Sequence, residues 1–107
     1  MMNRKKISDN TGDYHAHLIK SLTDQNEAAA YLQVAFDEYQ NTGNSEAFLL
    51  ALKNVAEAKG GLTSLSKKTH LNRQSLYRTL SSKGNPRLQT LGLLFKALGF
   101  HISIEPA

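Results

Sequence analysis

The chain of 107 residues contains no cysteine and no tryptophan, and it has only two prolines. Without thiols it can form neither disulfides nor thiolate metal sites, a composition that fits a reducing cytosol. No apolar run approaches the length that spans a membrane, and the first ten residues, MMNRKKISDN, lack the hydrophobic stretch of a signal peptide. We therefore expect a cytoplasmic protein that makes no contact with a membrane.

The sequence also lacks the motifs of the common enzyme classes. It has no nucleophile elbow and no HExxH, and its four histidines are scattered with no carboxylate at a telling spacing. His15 and His17 suggest a metal site, but residues two apart on a helix do not face each other and no third ligand is near. The Gly60-Gly61 pair lacks the Lys-Ser/Thr of a phosphate loop and is predicted to end a helix. We expect no catalysis, no metal and no cofactor.

Charge is divided sharply along the chain, although the formal net charge is only +4. Residues 1–6 carry three basic side chains, residues 7–58 carry eight acidic and two basic ones, and residues 59–107 carry eight basic and one acidic. A basic segment suits phosphate contact, and an acidic one suits a basic partner. The three N-terminal basic residues are Arg4, Lys5 and Lys6. They are either solvated or form an arm that touches the DNA backbone.

Residues 62–80, LTSLSKKTHLNRQSLYRTL, carry the pattern of two short helices joined by a tight turn. Leucines recur three or four residues apart in each half, which places them on one face of each helix. Asn72 is a favoured N-cap because its side-chain oxygen accepts from N–H groups left unpaired at a helix start. The pattern predicts a helix-turn-helix with a recognition helix over residues 72–81.

The outward faces of this second helix carry long donors mixed with amide and hydroxyl groups, which is the chemistry that reads base edges and holds phosphates. The residues predicted to contact DNA, including two in the following loop, are Asn72, Arg73, Gln74, Ser75, Tyr77, Arg78, Lys83 and Arg87. Base contacts of this motif concentrate at the start of the helix, at Arg73 and Gln74. Tyr77 either packs its ring on the domain or offers its hydroxyl to a phosphate. Ser75 either reads a base or allows close helix approach.

Helical patterns extend on both sides of the motif. Residues 81–87, SSKGNPR, form a turn-rich loop, and residues 88–98 resume an apolar stripe that ends at Gly99. Asp24 and Ser45 are predicted N-caps of helices upstream. The upstream segments with helical spacing are residues 13–22, 24–39 and 46–59.

The C-terminal residues 100–105 alternate, with Phe100, Ile102 and Ile104 on one side and polar residues on the other. This period of two predicts a short strand with one buried face. The chain offers no other convincing strand, so we expect the pairing partner to come from a second molecule.

The predicted fold class is all-α, with a short C-terminal strand. A disordered basic tail over residues 1–12 precedes one helical domain over residues 13–107. Within that domain we expect N-terminal helices over residues 13–44, a helix-turn-helix core over residues 45–99 and the strand over residues 100–105.

The order of helix, turn, recognition helix, basic loop and apolar helix resembles the Xre or phage-repressor type of DNA-binding domain. More closely, GGLTSLSKKTHLNRQSLYRTLSSKGNPRLQTLGLLFKALGF and the following HISIE resemble the HigA-like antitoxins, or addiction-module antidote proteins. NEAAAYLQVAFDEY and EAFLLALKNVAEAKG are similar to the N-terminal half of that family, so the likeness covers residues 13–105. The LYR tripeptide, the GNPR loop and the hydrophobic tail carry most of it.

The resemblance implies a sequence-specific DNA-binding antitoxin of a type II toxin–antitoxin pair that represses its own operon. Its implied partners are double-stranded operator DNA in the prokaryotic nucleoid and a RelE/ParE-type toxin. Because one short recognition helix reads few base pairs and the C-terminal strand lacks a partner, we expect the protein to bind this DNA as a homodimer. The open alternative is a helix-turn-helix transcriptional regulator without a toxin. A small basic reading frame beside the gene separates the two.

Since the implied toxin is a basic ribonuclease, the acidic middle of the chain is predicted to bind it. The candidate toxin-binding residues, in which Tyr31 serves as an exposed apolar anchor, are Asp24, Glu27, Tyr31, Asp37, Glu38 and Glu46. The alternative is that this half completes the core and the dimer while its carboxylates are solvated.

Overall fold

The computed structural model describes residues 11–107 of the chain and folds them into six α-helices. The helices are α1 (Thr11–Ser21), α2 (Gln25–Thr42), α3 (Glu46–Ala58), α4 (Gly61–Thr69), α5 (Arg73–Thr79) and α6 (Leu88–Leu98). The predicted helical fold class is confirmed for these residues. The candidate basic arm of Arg4, Lys5 and Lys6 lies outside them.

Side chains and glycines set the ends of α2. The Asp24 carboxylate accepts hydrogen bonds from the backbone N–H of Asn26 at 2.9 Å and of Glu27 at 3.0 Å. The predicted cap is therefore confirmed. At the other end Gly43 has a φ of 74°, and its N–H donates to the Tyr39 carbonyl at 2.7 Å. This left-handed residue stops the helix.

The prediction that Ser45 caps α3 is wrong. Its backbone has φ −84° and ψ −5° and its side chain makes no capping bond, because an N-cap side chain reaches the first amides from an extended backbone. Asn44 takes the role, since its Oδ1 accepts from the Glu46 N–H at 2.9 Å. The helix ends at Ala58, just before Gly60 with its φ of 110°, as the glycine pair predicts.

Helix α3 is the centre of the packing. It contacts α1, α2 and α4, and α4 in turn contacts α5 and α6. Seven of its thirteen residues are buried. Phe48 lies at its N-terminal end, with its ring centroid 5.1 Å from that of Phe36 on α2 and 6.2 Å from that of Phe95 on α6. Aromatic pairs at these separations add to the stabilisation from area burial, so the ring cluster ties α2, α3 and α6 together.

A second link joins the start of α2 to the end of α6. Gln25 Nε2 donates to the carbonyl oxygens of Leu98 and Gly99, each at 3.3 Å. These carbonyls have no partner within α6, because the last turn of a helix leaves its acceptors open. Lys59 Nζ donates at 3.2 Å to the carbonyl of Thr23, which lies just before the start of α2. The two halves of the chain are thus joined through polar contacts as well as through the core.

The strand predicted over residues 100–105 does not form in the single chain, and no strand occurs among the described residues. The Phe100 N–H donates to the Phe95 carbonyl at 2.8 Å, which completes the end of α6. Beyond it, positions 101–107 are exposed and take part in no backbone hydrogen bond within the described range. The physical reason is that a strand needs a neighbour, and residues 11–107 supply none.

The loop between α5 and α6 is seated tightly against the end of α5. A Cβ on Gly84 would lie 1.9 Å from the carbonyl oxygen of Thr79. The Gly84 N–H donates to the Ser81 carbonyl at 2.9 Å, which closes the turn. Only glycine allows this approach, so the loop has a fixed position relative to α5.

We predict that Gly84→Ala lowers the free energy of unfolding by about 1–3 kcal/mol, because the methyl group must displace backbone. Gly92→Ala is the matched control. Gly92 lies inside α6 with nothing within 4 Å of the added Cβ, so this change raises stability by about 0.5–1 kcal/mol through helix propensity. Urea unfolding measures the free energy of unfolding of both variants, provided that its dependence on urea concentration is the same as in the wild type. Equal stability of Gly84→Ala and the wild type would contradict the packing described.

Candidate nucleic-acid interface

Three side chains hold the turn between α4 and α5. Thr69 is buried, and its Oγ1 donates to the Leu65 carbonyl at 2.8 Å and accepts from the Leu71 N–H at 3.2 Å. Ser66 Oγ donates to the Leu71 carbonyl. These bonds satisfy turn groups that would otherwise be unpaired in a partly buried place. They also fix the angle at which α5 leaves α4.

His70 occupies the sharpest point of the turn. Its φ is 61°, and it is the one non-glycine residue with positive φ in the described part of the chain. Its N–H donates to the Ser66 carbonyl at 2.8 Å as the C-cap of α4. An L-residue in this conformation costs about 1–2 kcal/mol, and the hydrogen bonds of the turn hold it there.

Asn72 starts α5. Its Oδ1 accepts from the backbone N–H groups of Gln74 at 2.8 Å and Ser75 at 3.2 Å. The predicted N-cap is confirmed, and the oxygen of this side chain serves the helix rather than a ligand. The helix ends at Thr79, two residues before the predicted end at Ser81.

One face of α5 collects four of the predicted contact residues. Arg73, Gln74, Tyr77 and Arg78 are all exposed, and together they line a shallow depression. Their spacing of one, four and five residues places them on adjacent turns of the same surface. Ser75 is half-buried, which favours its alternative role of allowing close helix approach. The structure therefore gathers long donors along this helix, from its first turn to its last.

Lys53 is a member of this face that sequence reasoning missed. It lies on α3, and its Nζ is 5.1 Å from the centroid of the Tyr77 ring. An ammonium at this distance from an aromatic ring makes a cation–π contact. Tyr77 nevertheless remains 59% exposed. The sequence offered a single signal for Lys53, namely that it is one of two basic residues in the acidic segment 7–58.

The segment of the chain that contains this face is uniformly basic in sequence. Every charged residue from position 59 to 104 is basic. Lys83 and Arg87, the two loop residues predicted to contact phosphates, lie exposed in the loop that packs against the end of α5. Lysines and arginines on one surface create a field that attracts a polyanion. The geometry therefore suits a ligand with a phosphate backbone.

The acidic candidates lie elsewhere, mainly on α2. Glu27, Asp37 and Glu38 are exposed on this helix, and Glu46 is exposed at the start of α3. Asp37 Oδ1 accepts from the Gln33 side chain at 2.9 Å. The carboxylate of the remaining candidate, Asp24, caps the helix. The structure thus brings Asp37 and Glu38 together on one outward face and gives Asp24 a structural role.

Tyr31 is not the exposed anchor that was predicted. It is half-buried, and its hydroxyl oxygen accepts a hydrogen bond from Asn54 Nδ2 at 3.0 Å. The phase of α2 turns this residue toward α3, where it satisfies a buried polar group of the core. The most exposed large apolar residue on α2 is Val34, at 69%. Val34 lies three and four residues before Asp37 and Glu38, on the same face.

The histidines of α1 show no metal-site geometry. His15 Nε2 is 3.3 Å from the Glu57 carboxylate, which joins α1 to α3, and His17 is exposed. In residues 11–107 no group of three or more His, Asp or Glu side chains is placed to hold a metal ion. None of the helices described is long and apolar enough to cross a membrane.

Comparison with known proteins assigns the chain to a family. Residues 14–106 match the model of the family described as probable addiction module antidote protein. An uncharacterized protein of Haemophilus influenzae (strain ATCC 51907 / DSM 11121 / KW20 / Rd) is 30% identical over 84 residues, which cover 78% of this chain and 81% of that protein. No solved structure matches the chain significantly.

Membership in this family has two direct consequences. An antidote is not catalytic, so the prediction that the chain is not an enzyme is confirmed. An addiction-module antidote also implies a cognate toxin as its partner. The chain belongs to the family of probable addiction module antidote proteins.

Proposed function

We propose that the protein is a DNA-binding antitoxin that represses its own operon and neutralises a RelE/ParE-type toxin. The observation that carries the DNA-binding part is the exposed face of α5, where Arg73, Gln74, Tyr77 and Arg78 lie together. The turn bonds described above hold this helix in place, and the charge around it is entirely basic over residues 59–104.

The dimensions of α5 suit the major groove of DNA. An α-helix with its side chains is about 10–12 Å across, and the groove is about 12 Å wide. Arginine pairs with guanine and glutamine with adenine through two hydrogen bonds each, so Arg73 and Gln74 are the residues that read bases. Lys83 and Arg87 hold phosphates from the loop after α5.

Tyr77 and Lys53 form a second phosphate contact in this proposal. The lysine ammonium lies over the ring of the tyrosine, and the tyrosine as a whole remains 59% exposed. Both a hydroxyl and an ammonium donate well to phosphate oxygen. Arg78 lies one residue further on the same exposed face.

The proposed DNA-binding species is a homodimer. One short recognition helix reads few base pairs, so specificity requires two helices on successive half-sites about 34–36 Å apart. A two-fold symmetric protein then matches a palindromic operator in front of the shared operon.

The alternative of a transcriptional regulator without a toxin loses support, because the family to which the chain belongs is one of antidotes. The direct test is co-purification of the chain with the product of the neighbouring gene. A small basic protein that stays bound and loses its toxicity supports the antitoxin. A chain that binds operator DNA but no neighbouring gene product would favour the plain regulator.

We place the toxin on the outward face of α2. Asp37 and Glu38 supply negative charge there, and Val34 supplies an exposed apolar side chain between them and the start of the helix. A ribonuclease is basic where it grips RNA, so an acidic helix is electrostatically complementary to it. This surface lies on a different helix from the basic face of α5, which leaves both partners a surface of their own.

We predict that the residues at the start of α5 and those in the following loop affect DNA binding differently. Arg73→Ala and Gln74→Ala each lower the preference for the operator by about 1–3 kcal/mol, because a bidentate base contact is lost. Lys83→Ala and Arg87→Ala weaken binding to all sequences and each reduce the salt slope by about 1. Fluorescence anisotropy of upstream operon DNA and of a scrambled duplex, across a salt series, measures both effects.

Lys20→Ala on α1 is the control for these titrations, because it removes an exposed positive charge from another part of the molecule. It is expected to leave the preference unchanged. If all four substitutions leave both the specific-to-nonspecific ratio and the salt slope at wild-type values, α5 is not the recognition helix.

We predict that Asp37→Lys combined with Glu38→Lys weakens binding of the co-purified toxin, most strongly at low salt, where exposed charges are least screened. Operator binding holds or improves, since negative charge is removed. Surface plasmon resonance with toxin and operator DNA measures both, after circular dichroism shows unchanged helicity. Asp13→Lys, on the exposed part of α1, is the control. Unchanged toxin affinity in the double variant would place the toxin on another surface.

A further inference from the structure

The tail after α6 has backbone groups that the described chain does not pair. Positions 101–107 are exposed and enter no backbone hydrogen bond among residues 11–107. The sequence of the tail nevertheless alternates as a strand does. Ile102 is 52% and Ile104 95% exposed, whereas Phe100 packs against the core. A strand pattern without a neighbour indicates that pairing comes from another chain.

The tail is complementary to itself in one antiparallel register. When Ser103 faces Ser103 of a second copy, His101 faces Glu105 and Ile102 faces Ile104, each pair occurring twice about the two-fold axis. Opposed apolar side chains and opposed hydrogen-bonding partners are the pairs that stabilise a ladder. A register centred on a neighbouring residue loses the His101–Glu105 pair.

The face of this ribbon is also set by the structure. Side chains two apart in a strand point to the same side, so Ile102 and Ile104 continue the side on which Phe100 meets the core. A two-stranded ribbon is marginal by itself. Here the two Phe100 side chains anchor it on two cores, and the four isoleucines cover one another's exposed area.

We propose that the chain forms a two-fold dimer by antiparallel pairing of residues 100–105 centred on Ser103. This deepens the proposed function and rests on it for its purpose, because reading two half-sites requires two joined copies. The strand that pairs with the tail belongs to a second copy of this chain. Every residue pair in the proposed interface is formed between the same segments of the two copies, which makes the interface isologous.

Cysteine cross-linking tests the register directly, because the chain contains no cysteine of its own. In full-length protein Ser103→Cys places two thiols on Cα atoms about 4.5–5.5 Å apart, within the range of a disulfide. His101→Cys alone is the matched control. Its two copies lie about 14 Å apart in this register. The double variant His101→Cys with Glu105→Cys again places thiols opposite each other and is expected to form the cross-link.

The expected result is a covalent dimer of Ser103→Cys and of the double variant under mild oxidation, and little of His101→Cys. Stronger cross-linking of His101→Cys than of Ser103→Cys would overturn the register. Light scattering over a dilution series gives the second readout. Ile102→Asp with Ile104→Asp weakens the dimer by about tenfold or more, because the apolar pairs are lost, while helicity is unchanged because both positions are exposed.

A wild-type chain that stays monomeric would overturn the inference, as would a dimer that the two Asp substitutions leave intact. If those substitutions instead reduce co-purification of the toxin and leave the dimer, the tail binds toxin and not a second copy. The proposed function fails separately. Loss of the dimer with retained, Arg73-dependent operator binding removes the tail inference only, whereas a confirmed ribbon without operator binding removes the DNA-binding proposal only.

Discussion

Burial of α3 is the constraint on which the rest of the structure depends. Its Phe48 ring is 5% exposed and lies within 5.1–6.4 Å of the rings of Phe36, Tyr39 and Phe95. The acidic α2 packs directly on α3, and the basic α5 and α6 pack on α4, which also contacts α3. The acidic residues of α2 and the basic face of α5 are therefore connected through one hydrophobic core.

This arrangement suits a protein with two partners of opposite charge. The carboxylates of α2 and the cations of α4–α6 attract partners of opposite charge. Seating them on separate helices of one core keeps both surfaces open. Lys53 shows how the core also serves the basic face, since an α3 residue reaches across to the ring of Tyr77 on α5. The surfaces proposed to bind toxin and DNA are therefore built on the same hydrophobic core.

Structural features that depend only on residues close in sequence, such as helix caps, are predicted well from the sequence. The Asn72 cap follows from contacts two and three residues away and is confirmed. Ser45 fails because Asn44, one residue earlier, takes the cap instead. The contacts of Tyr31 and Lys53 depend on how helices pack against one another, which the spacing of residues within one helix does not determine. The strand over residues 100–105 requires a partner outside the described chain, so its pattern is visible in the sequence while its structure is absent.

Hydrogen–deuterium exchange of the full chain, with and without DNA from the region upstream of its operon, tests the central claim most directly. If α5 and the following loop read the operator, amide exchange slows across residues 73–87, while exchange in α2, over residues 25–42, is unchanged by DNA. Slowed exchange centred on α2, or no change over residues 73–87 under conditions where the DNA is bound, would contradict the assignment of the basic face.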